Sequence, residues 1–327
     1  MRYRTIGQDP SNRRDVSVIS LGAMRFGTST DEQTSFAILD RFIEAGGTFI
    51  DTSDNYAFWV NGTQGGESEE LLGRWRRSRG IGAEIVIATK LGARPLAPGT
   101  SYLDNAEGLS AAVIRASSAE SRERLGIEKI DVLYAHIDDL HTPQEETVEA
   151  LADLVSDGTV GLLGVSNQWA WRVQRARGIA AAAGQPGYEL LQYSYSYLRP
   201  RTDRPHDLSP DGDLGLAGGD VLSYVRSDPA LTLVAYSPLL GGSYARNDRP
   251  LEDHYDHPGT AARLTALREV ARDADATPNQ VVLAWLMGGD IPVLPLVGAS
   301  SVAQIDESLA AIDLQLTPEQ RHRLDAA

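Results

Sequence analysis

The chain has 327 residues, 42% of them hydrophobic, no cysteine and a formal net charge of −15 with a pI near 4.8. The lack of thiols excludes disulfides, thiolate nucleophiles and Cys-based zinc sites. The acidic balance disfavours nucleic acid as a partner, and no apolar run reaches the roughly 20 residues that span a bilayer. The first residues, Met1-Arg-Tyr-Arg-Thr5, lack the apolar region of a signal peptide, so a cytoplasmic protein without a membrane partner is expected.

In chain order, residues 2–4 and 15–20 flank a turn-like stretch at 7–14, which suggests a hairpin closing the floor of a barrel. Apolar runs at 16–21, 48–51, 85–90, 130–136, 161–166, 188–193, 231–236 and 291–297 give eight candidate strands. Between them, apolar residues recur at helical spacing, for example at 31–45, 68–79, 109–125, 143–155 and 260–274; the Ala run at 180–183 also reads as helix. Eight strand and helix pairs without a linker predict one domain over 1–327, an α/β fold of the (β/α)8 TIM-barrel type. A doubly wound sheet would carry a Gly-x-Gly-x-x-Gly turn after its first strand, and the chain has none, nor a P-loop. Two long Pro-, Gly- and Asp-rich connections, 198–214 and 239–259, are expected on the C-terminal face, as substrate or coenzyme covers or as surface insertions.

Three of these strands end in groups that move or bias protons: Asp51, with Tyr56 close behind, then Lys90, then His136. In a parallel barrel all such ends open onto one face. Lys90 and Lys129 are the only lysines among the 30 cationic residues, so a compact ammonium was kept at one strand end in a chain that otherwise uses Arg. Reduction of a carbonyl by hydride leaves an alkoxide unless an acid supplies a proton, and a tyrosine is expected to do so only if its pKa of about 10 falls toward neutrality, a nearby cation stabilising the phenolate. Lys90 can be that cation, Asp51 its anchor, and His136 a hydrogen-bond donor to the carbonyl. Singly, each has a structural reading: an interior ion pair, an aromatic cap, a satisfied histidine. Four in order on three consecutive strands point to chemistry.

These residues and their spacing resemble the aldo-keto reductase family, whose tetrad is Asp, Tyr, Lys and His in this order. The resemblance extends through Gly66-Glu-Ser-Glu-Glu-Leu-Leu-Gly73, Gly164-Val-Ser-Asn167, Tyr236-Ser-Pro-Leu-Leu-Gly241 and Gly298-Ala-Ser-Ser-Val-Ala-Gln-Ile-Asp-Glu-Ser308. It implies NADPH, with NADH also usable, as coenzyme. Ser166, Asn167 and Gln192 would take the nicotinamide carboxamide, and Tyr236 would stack on the ring. Ser237, Leu239 and Gly241 would wrap the pyrophosphate. Gly298, Ser300, Ser301, Gln304, Glu307 and Ser308 would meet the adenosine end, and Gly22 and Met24 complete the coenzyme set. Ser301 and Gln304 also have capping-box spacing, which a helix start explains by itself. Arg25, Phe58 and Trp59 would line the substrate pocket.

The sequence departs from the family at several points. Ser300 stands where many members carry Arg or Lys against the 2′-phosphate, and Ser308 replaces a frequent Asn. Ala57 stands in place of Gly, and Trp169 and Trp171 replace less bulky residues. The motifs His136-Ile-Asp-Asp-Leu-His141 and His254-Tyr-Asp-His257 hold metal-ligand residue types without a helical His-Glu-x-x-His frame, so no metal is expected. No Gly-x-Ser-x-Gly elbow of a serine hydrolase is present. The expected function is reduction of an aldehyde or ketone, with hydride from nicotinamide and the proton from Tyr56. The alternative is a coenzyme-binding redox sensor or regulatory subunit, like the channel-associated members of that family. The Arg- and Ala-rich composition fits a high-GC bacterial source, where such enzymes act on sugars or secondary metabolites.

Overall fold

The computed structural model describes residues 1–98, 105–204, 212–246 and 248–327. Strands β1 (Tyr3–Ile6) and β2 (Arg14–Ser17) pair antiparallel. Eight more form a closed parallel barrel in sequence order: β3 (Ser20–Gly22), β4 (Phe49–Asp51), β5 (Val86–Leu91), β6 (Ile130–Ala135), β7 (Val160–Ser166), β8 (Tyr188–Ser194), β9 (Thr232–Tyr236) and β10 (Val293–Gly298), with β10 returning beside β3. The expected TIM barrel with an N-terminal hairpin is what the chain forms.

One boundary differs. The run at 16–21 is not one strand: it contains the end of β2 and most of β3, with the chain turning between them. Ser17 makes that break, since its hydroxyl donates to Ile19 O (2.7 Å) and its amide to Thr48 Oγ1 (2.9 Å) instead of continuing a ladder. An apolar run carries no mark of such a bend.

Strand alternation sets the rest. Phe49, Val86, Ala88, Val132, Tyr134, Leu162, Leu190, Val234, Leu294 and Leu296 point inward and fill the barrel, and Ile6 and Val16 of the hairpin join the same cluster to close its floor. Residues of the opposite parity, such as Ile50, Ile87, Leu133, Leu163, Leu191 and Leu233, pack against the surrounding helices. Continued to the strand ends, the inward parity reaches Asp51, Lys90 and His136. Gly164 is required on β7, since a Cβ there would lie 2.3 Å from the ring of Tyr134.

The outer helices among the described residues are α1 (Glu32–Glu44), α2 (Phe58–Asn61), α3 (Glu67–Arg79), α4 (Ala111–Leu125), α5 (Gln144–Ser156), α6 (Ala170–Ala182), α7 (Gly219–Ser227), α8 (Pro258–Asp273), α9 (Pro278–Met287), α10 (Val302–Ala310) and α11 (Pro318–Asp325). Their starts follow capping chemistry. Asp31 and Ser110 cap α1 and α4, and Thr277 with Gln280 and Thr317 with Gln320 form capping boxes before Pro at the first turn. None of these helices is long and apolar enough to cross a membrane. Within the two long connections, residues 205–211 and 247 lie outside the described residues.

Candidate active site

The mouth of the barrel divides in two. Asp51, Tyr56, Lys90 and His136 lie at or just beyond the C-terminal ends of β4, β5 and β6, three neighbours in the closed order. The residues expected to hold coenzyme lie at or beyond the C-terminal ends of β7, β8, β9, β10 and β3, the five remaining neighbours.

Lys90 is the centre of the first group. Its side chain is fully buried, and its ammonium donates to a carboxylate oxygen of Asp51, to Thr52 O (2.7 Å) and to Tyr56 Oη (3.2 Å). Three bonds use all three ammonium hydrogens. The other carboxylate oxygen of Asp51 accepts from Gln192 Nε2 at 2.8 Å, a bond that crosses the barrel from β8 to β4. Lys90 Nζ also lies 4.8 Å from the ring centroid of Tyr56 and 6.0 Å from that of Tyr134. His136 stands edge-on to Tyr56, ring centroids 5.9 Å apart at 78°. Tyr56 and His136 are partly exposed at the mouth, whereas Asp51 and Lys90 are sealed beneath them.

Electrostatics follow from that layering. Burial works to lower the Lys90 ammonium, but the charge of Asp51, the phenol of Tyr56 and the bonds to both hold it above its ordinary value. Burial raises the Asp51 carboxyl, with Lys90 and Gln192 opposing. His136 is held well below the usual imidazole range, first by burial and then by the Lys90 charge, so it is neutral. Tyr56 corrects an expectation. Its pKa is raised rather than brought toward neutrality, because burial and the charges of Asp51 and Asp54 outweigh the pull of Lys90. The phenol therefore keeps its proton in the neutral range.

The other expected site residues fall as follows. Asn167, at positive φ, donates to His136 O (3.1 Å) and accepts from Tyr236 Oη (3.1 Å), so it links the two halves of the mouth. Ser166 donates to Gln192 O (2.8 Å). Tyr236 is half-buried, and its hydroxyl also reaches Gly215 O at 3.3 Å. Ser237 and Gly241 take positive φ in an exposed turn, and Leu239 packs below it. Gly22 pairs with Gly298 and Asp51 across the sheet, with Met24 exposed just beyond. Ser301 caps α10 by accepting from Gln304 N (3.3 Å). The side chain of Gln304 turns back to Ser300, accepting from its amide (2.8 Å) and its hydroxyl (3.1 Å), so the full capping box is not made. Glu307 accepts from Thr277 Oγ1 (2.7 Å) and Asn279, at the start of α9, and Ser308 is buried on the inner side of α10. Among the expected substrate residues, Trp59 is exposed and edge-on to Tyr56 at 6.1 Å, Phe58 is buried beneath Trp59, and the Arg25 side chain is exposed.

Several participants escape a reading of strand ends alone. Ser53 bonds His136 Nδ1 (3.1 Å) and Asn55 Oδ1 (2.8 Å), and Asn55 Nδ2 donates to Ala93 O (3.0 Å). Thr52 supplies a carbonyl to Lys90. All three lie inside Asp51-Thr-Ser-Asp-Asn-Tyr56, where polarity in a buried run was the available signal. Glu69 is fully buried and accepts from Thr89 Oγ1 (2.5 Å) and Arg124 Nε (2.7 Å). The neighbouring Asp54 carboxyl is pushed well above the carboxylate range by burial and by Glu107 and Glu69. Of the two His- and Asp-containing motifs, Asp139 organises its own loop and the start of α4, accepting from the amides of Leu109 (2.7 Å) and His141 (2.8 Å). His257 Nε2 bonds Arg199 O (2.7 Å). A separate cavity of about 470 Å³ lies beside β8 and α7, lined by Tyr195, Arg199 and Asp220 and by none of the four mouth residues.

The sequence profile of the aldo/keto reductase family matches residues 18–327. Norsolorinic acid reductase B of Dothistroma septosporum is 30% identical over 351 aligned positions, covering 100% of this chain and 81% of that protein. The uncharacterized oxidoreductase YrpG of Bacillus subtilis is 28% identical over 318 positions, covering 93% and 90%. Aryl-alcohol dehydrogenase [NADP(+)] of Phanerodontia chrysosporium is 30% identical over 332 positions, covering 95% and 82%. With the profile spanning the barrel and the relatives aligned along nearly all of the chain, this protein belongs to the aldo/keto reductase family of NAD(P)H-dependent oxidoreductases.

Proposed function

We propose that the chain reduces aldehydes and ketones to alcohols with NADPH, NADH also serving, and that Tyr56 delivers the proton. The observation that carries this reading is the use of Lys90. Its third hydrogen goes to Tyr56 Oη, so the phenol oxygen accepts from below and its own hydrogen is free to point into the mouth. A carbonyl oxygen placed there receives that hydrogen, and the phenolate left behind sits against an ammonium that is already fixed. Asp51 holds the ammonium, and Gln192 holds Asp51.

When bound, the coenzyme supplies the hydride. The residues around β7 to β10 suit such a guest. Asn167 Oδ1 keeps a second lone pair for a carboxamide N–H, the half-buried ring of Tyr236 offers a flat face, and the first-turn amides of α10 suit a phosphate. Trp59, packed on the buried Phe58, and Arg25 border the substrate side, and the exposed ring of Trp59 favours aryl carbonyl compounds. The name of one relative, an aryl-alcohol dehydrogenase, points the same way.

Incubation with NADPH and a panel of aliphatic and aryl aldehydes and ketones tests the reading. Coenzyme consumption should match alcohol formed, one for one. Tight coenzyme binding with no turnover on any carbonyl would replace the reductase by a redox sensor.

A further inference from the structure

Behind the turn that runs from Asp51 to Tyr56, three carboxyl side chains face two guanidiniums. Glu69 is paired with Arg124 at 2.7 Å and Glu107 with Arg94 at 3.2 Å, whereas the fully buried Asp54 has no cation of its own among the described residues. Glu120 meets both guanidiniums from the outer side, at 2.7 Å and 3.4 Å, so neither is left over for Asp54. Glu107 accepts from three donors, the amide of Gly92 (2.9 Å), Arg94 Nε and the hydroxyl of Ser117 (3.0 Å), which suits a carboxylate. Asp54 lies within hydrogen-bond reach of that carboxylate. Yet its Oδ2 meets no donor among the described residues, and its Oδ1 meets only the Ser53 hydroxyl, at 3.4 Å. Two ionised carboxylates have no hydrogen to share. One proton turns the contact into a bond, and it belongs on the partner that lacks donors. Burial and the charges of Glu107 and Glu69 favour that proton against the pull of Arg94.

We infer that Asp54 is a positioning residue that carries a proton and donates it to Glu107, fastening the turn that bears Tyr56 to β5 and α4 while setting no charge against the phenolate. This rests on the reductase reading for the role of Tyr56. The turn has two other ties to the end of β5: Asp54 N donates to Lys90 O (3.1 Å) and Asn55 Nδ2 to Ala93 O (3.0 Å). Glu107 grips the same stretch through Gly92 N and reaches α4 through Ser117, so the shared proton closes a loop from the turn to the wall behind it. Neutrality has its own use. Tyr56 becomes a phenolate when it gives up its proton, and an ionised Asp54 is one of the charges that oppose this. With the proton in place that opposition is absent.

Two measurements on the full chain test it. Infrared spectra of protein with and without ¹³C-labelled aspartate read the proton without reference to turnover. At neutral pH the parent should show the C=O band of a protonated carboxyl that moves with the label and is missing from Asp54→Asn. Glu107→Gln should shift or remove that band, and Ser53→Ala should leave it in place. If Asp54→Asn removes no such band, Asp54 is ionised and the inference is overturned. A band that answers to Ser53→Ala and not to Glu107→Gln gives the proton to the serine and overturns the pairing. The second measurement is steady-state reduction of a simple aldehyde. Asp54→Ala should lower kcat by about tenfold with KM within about twofold of the parent's, as expected when an acid is displaced and binding is kept. Asp54→Asn, whose amide donates to Glu107 in place of the carboxyl, should recover most of that loss. Parental kcat in Asp54→Ala, or no recovery in Asp54→Asn, overturns the positioning role. Should the parent reduce no carbonyl compound at all, the reductase reading fails and the positioning role with it, while the place of the proton is decided by the spectrum.

Discussion

Lys90 shows how much one residue choice can decide. Arginine serves this chain everywhere except at two positions, yet the space between Asp51, Thr52 O and Tyr56 takes a compact ammonium and leaves no room for a planar fork. Lys90→Arg should therefore lower kcat/KM by about 100-fold, comparable to losing one fixed donor at a developing oxyanion; parental rates would reduce Lys90 to structural charge. The pH profile follows from the same group. Tyr56 and Lys90 are raised above their ordinary values and His136 is lowered, so none of the three changes charge between about pH 7 and about pH 9.5. Tyr56 must be protonated to act as an acid, and a raised pKa keeps it so as pH rises. Reduction should be flat across that window in kcat/KM, and a fall within it would mean that the phenol titrates near neutrality. Coenzyme choice is proposed to turn on a single residue as well. Ser300 is exposed and already spends its amide and hydroxyl on Gln304. Ser300→Arg should tighten NADPH by about 1.5 to 3 kcal/mol through a charged hydrogen bond and leave NADH unchanged. Dissociation constants for both coenzymes decide it, and equal changes would place the 2′ position elsewhere.

At the scale of elements, strand parity carries the site. Phe49, Ala88 and Tyr134 face into the barrel, and two residues further on the same faces present Asp51, Lys90 and His136. Alternation is written in the sequence, so these three mouth residues were legible there, while Tyr56, in the turn after β4, was legible through its motif. The bond from Gln192 to Asp51 was not, because it spans 141 residues and depends on which strands face each other once the barrel closes. The Ser53 and Asn55 pair was hidden for another reason: hydrogen-bond direction depends on which end of an amide meets a carbonyl, and no spacing encodes that. The break between β2 and β3 was hidden inside a uniform apolar run. Gly164 gives a test of how tightly these layers fit. An added Cβ meets the Tyr134 ring at 2.3 Å, and that ring is fully buried below Lys90. Gly164→Ala should cost about 1 to 3 kcal/mol in denaturant unfolding and disturb Lys90, so activity should fall with it. A variant of parental stability would show that Tyr134 can move aside freely.

At the scale of the whole molecule, the two ends of the barrel have different tasks. The floor is closed by the hairpin, with Ile6 and Val16 inserted among the interior residues and Lys129 donating to Asn12 Oδ1 at 2.9 Å. The mouth carries the polar groups. Ile6→Ala should therefore destabilise the fold by about 2 to 5 kcal/mol, the range for emptying a buried site, while kcat/KM at permissive temperature stays near the parental value. Equal loss of stability and activity would mean that floor and mouth are coupled through the core. The central proposal concerns the mouth alone: that Tyr56 is the proton donor, held ready by Lys90. It is tested most directly by Tyr56→Phe, measuring carbonyl reduction and coenzyme affinity on the same preparation. The hydroxyl acts on substrate and the ring remains, so kcat/KM should fall by about 100-fold or more while the NADPH dissociation constant stays within about twofold of the parent's. Near-parental reduction of a simple aldehyde by Tyr56→Phe would contradict the account.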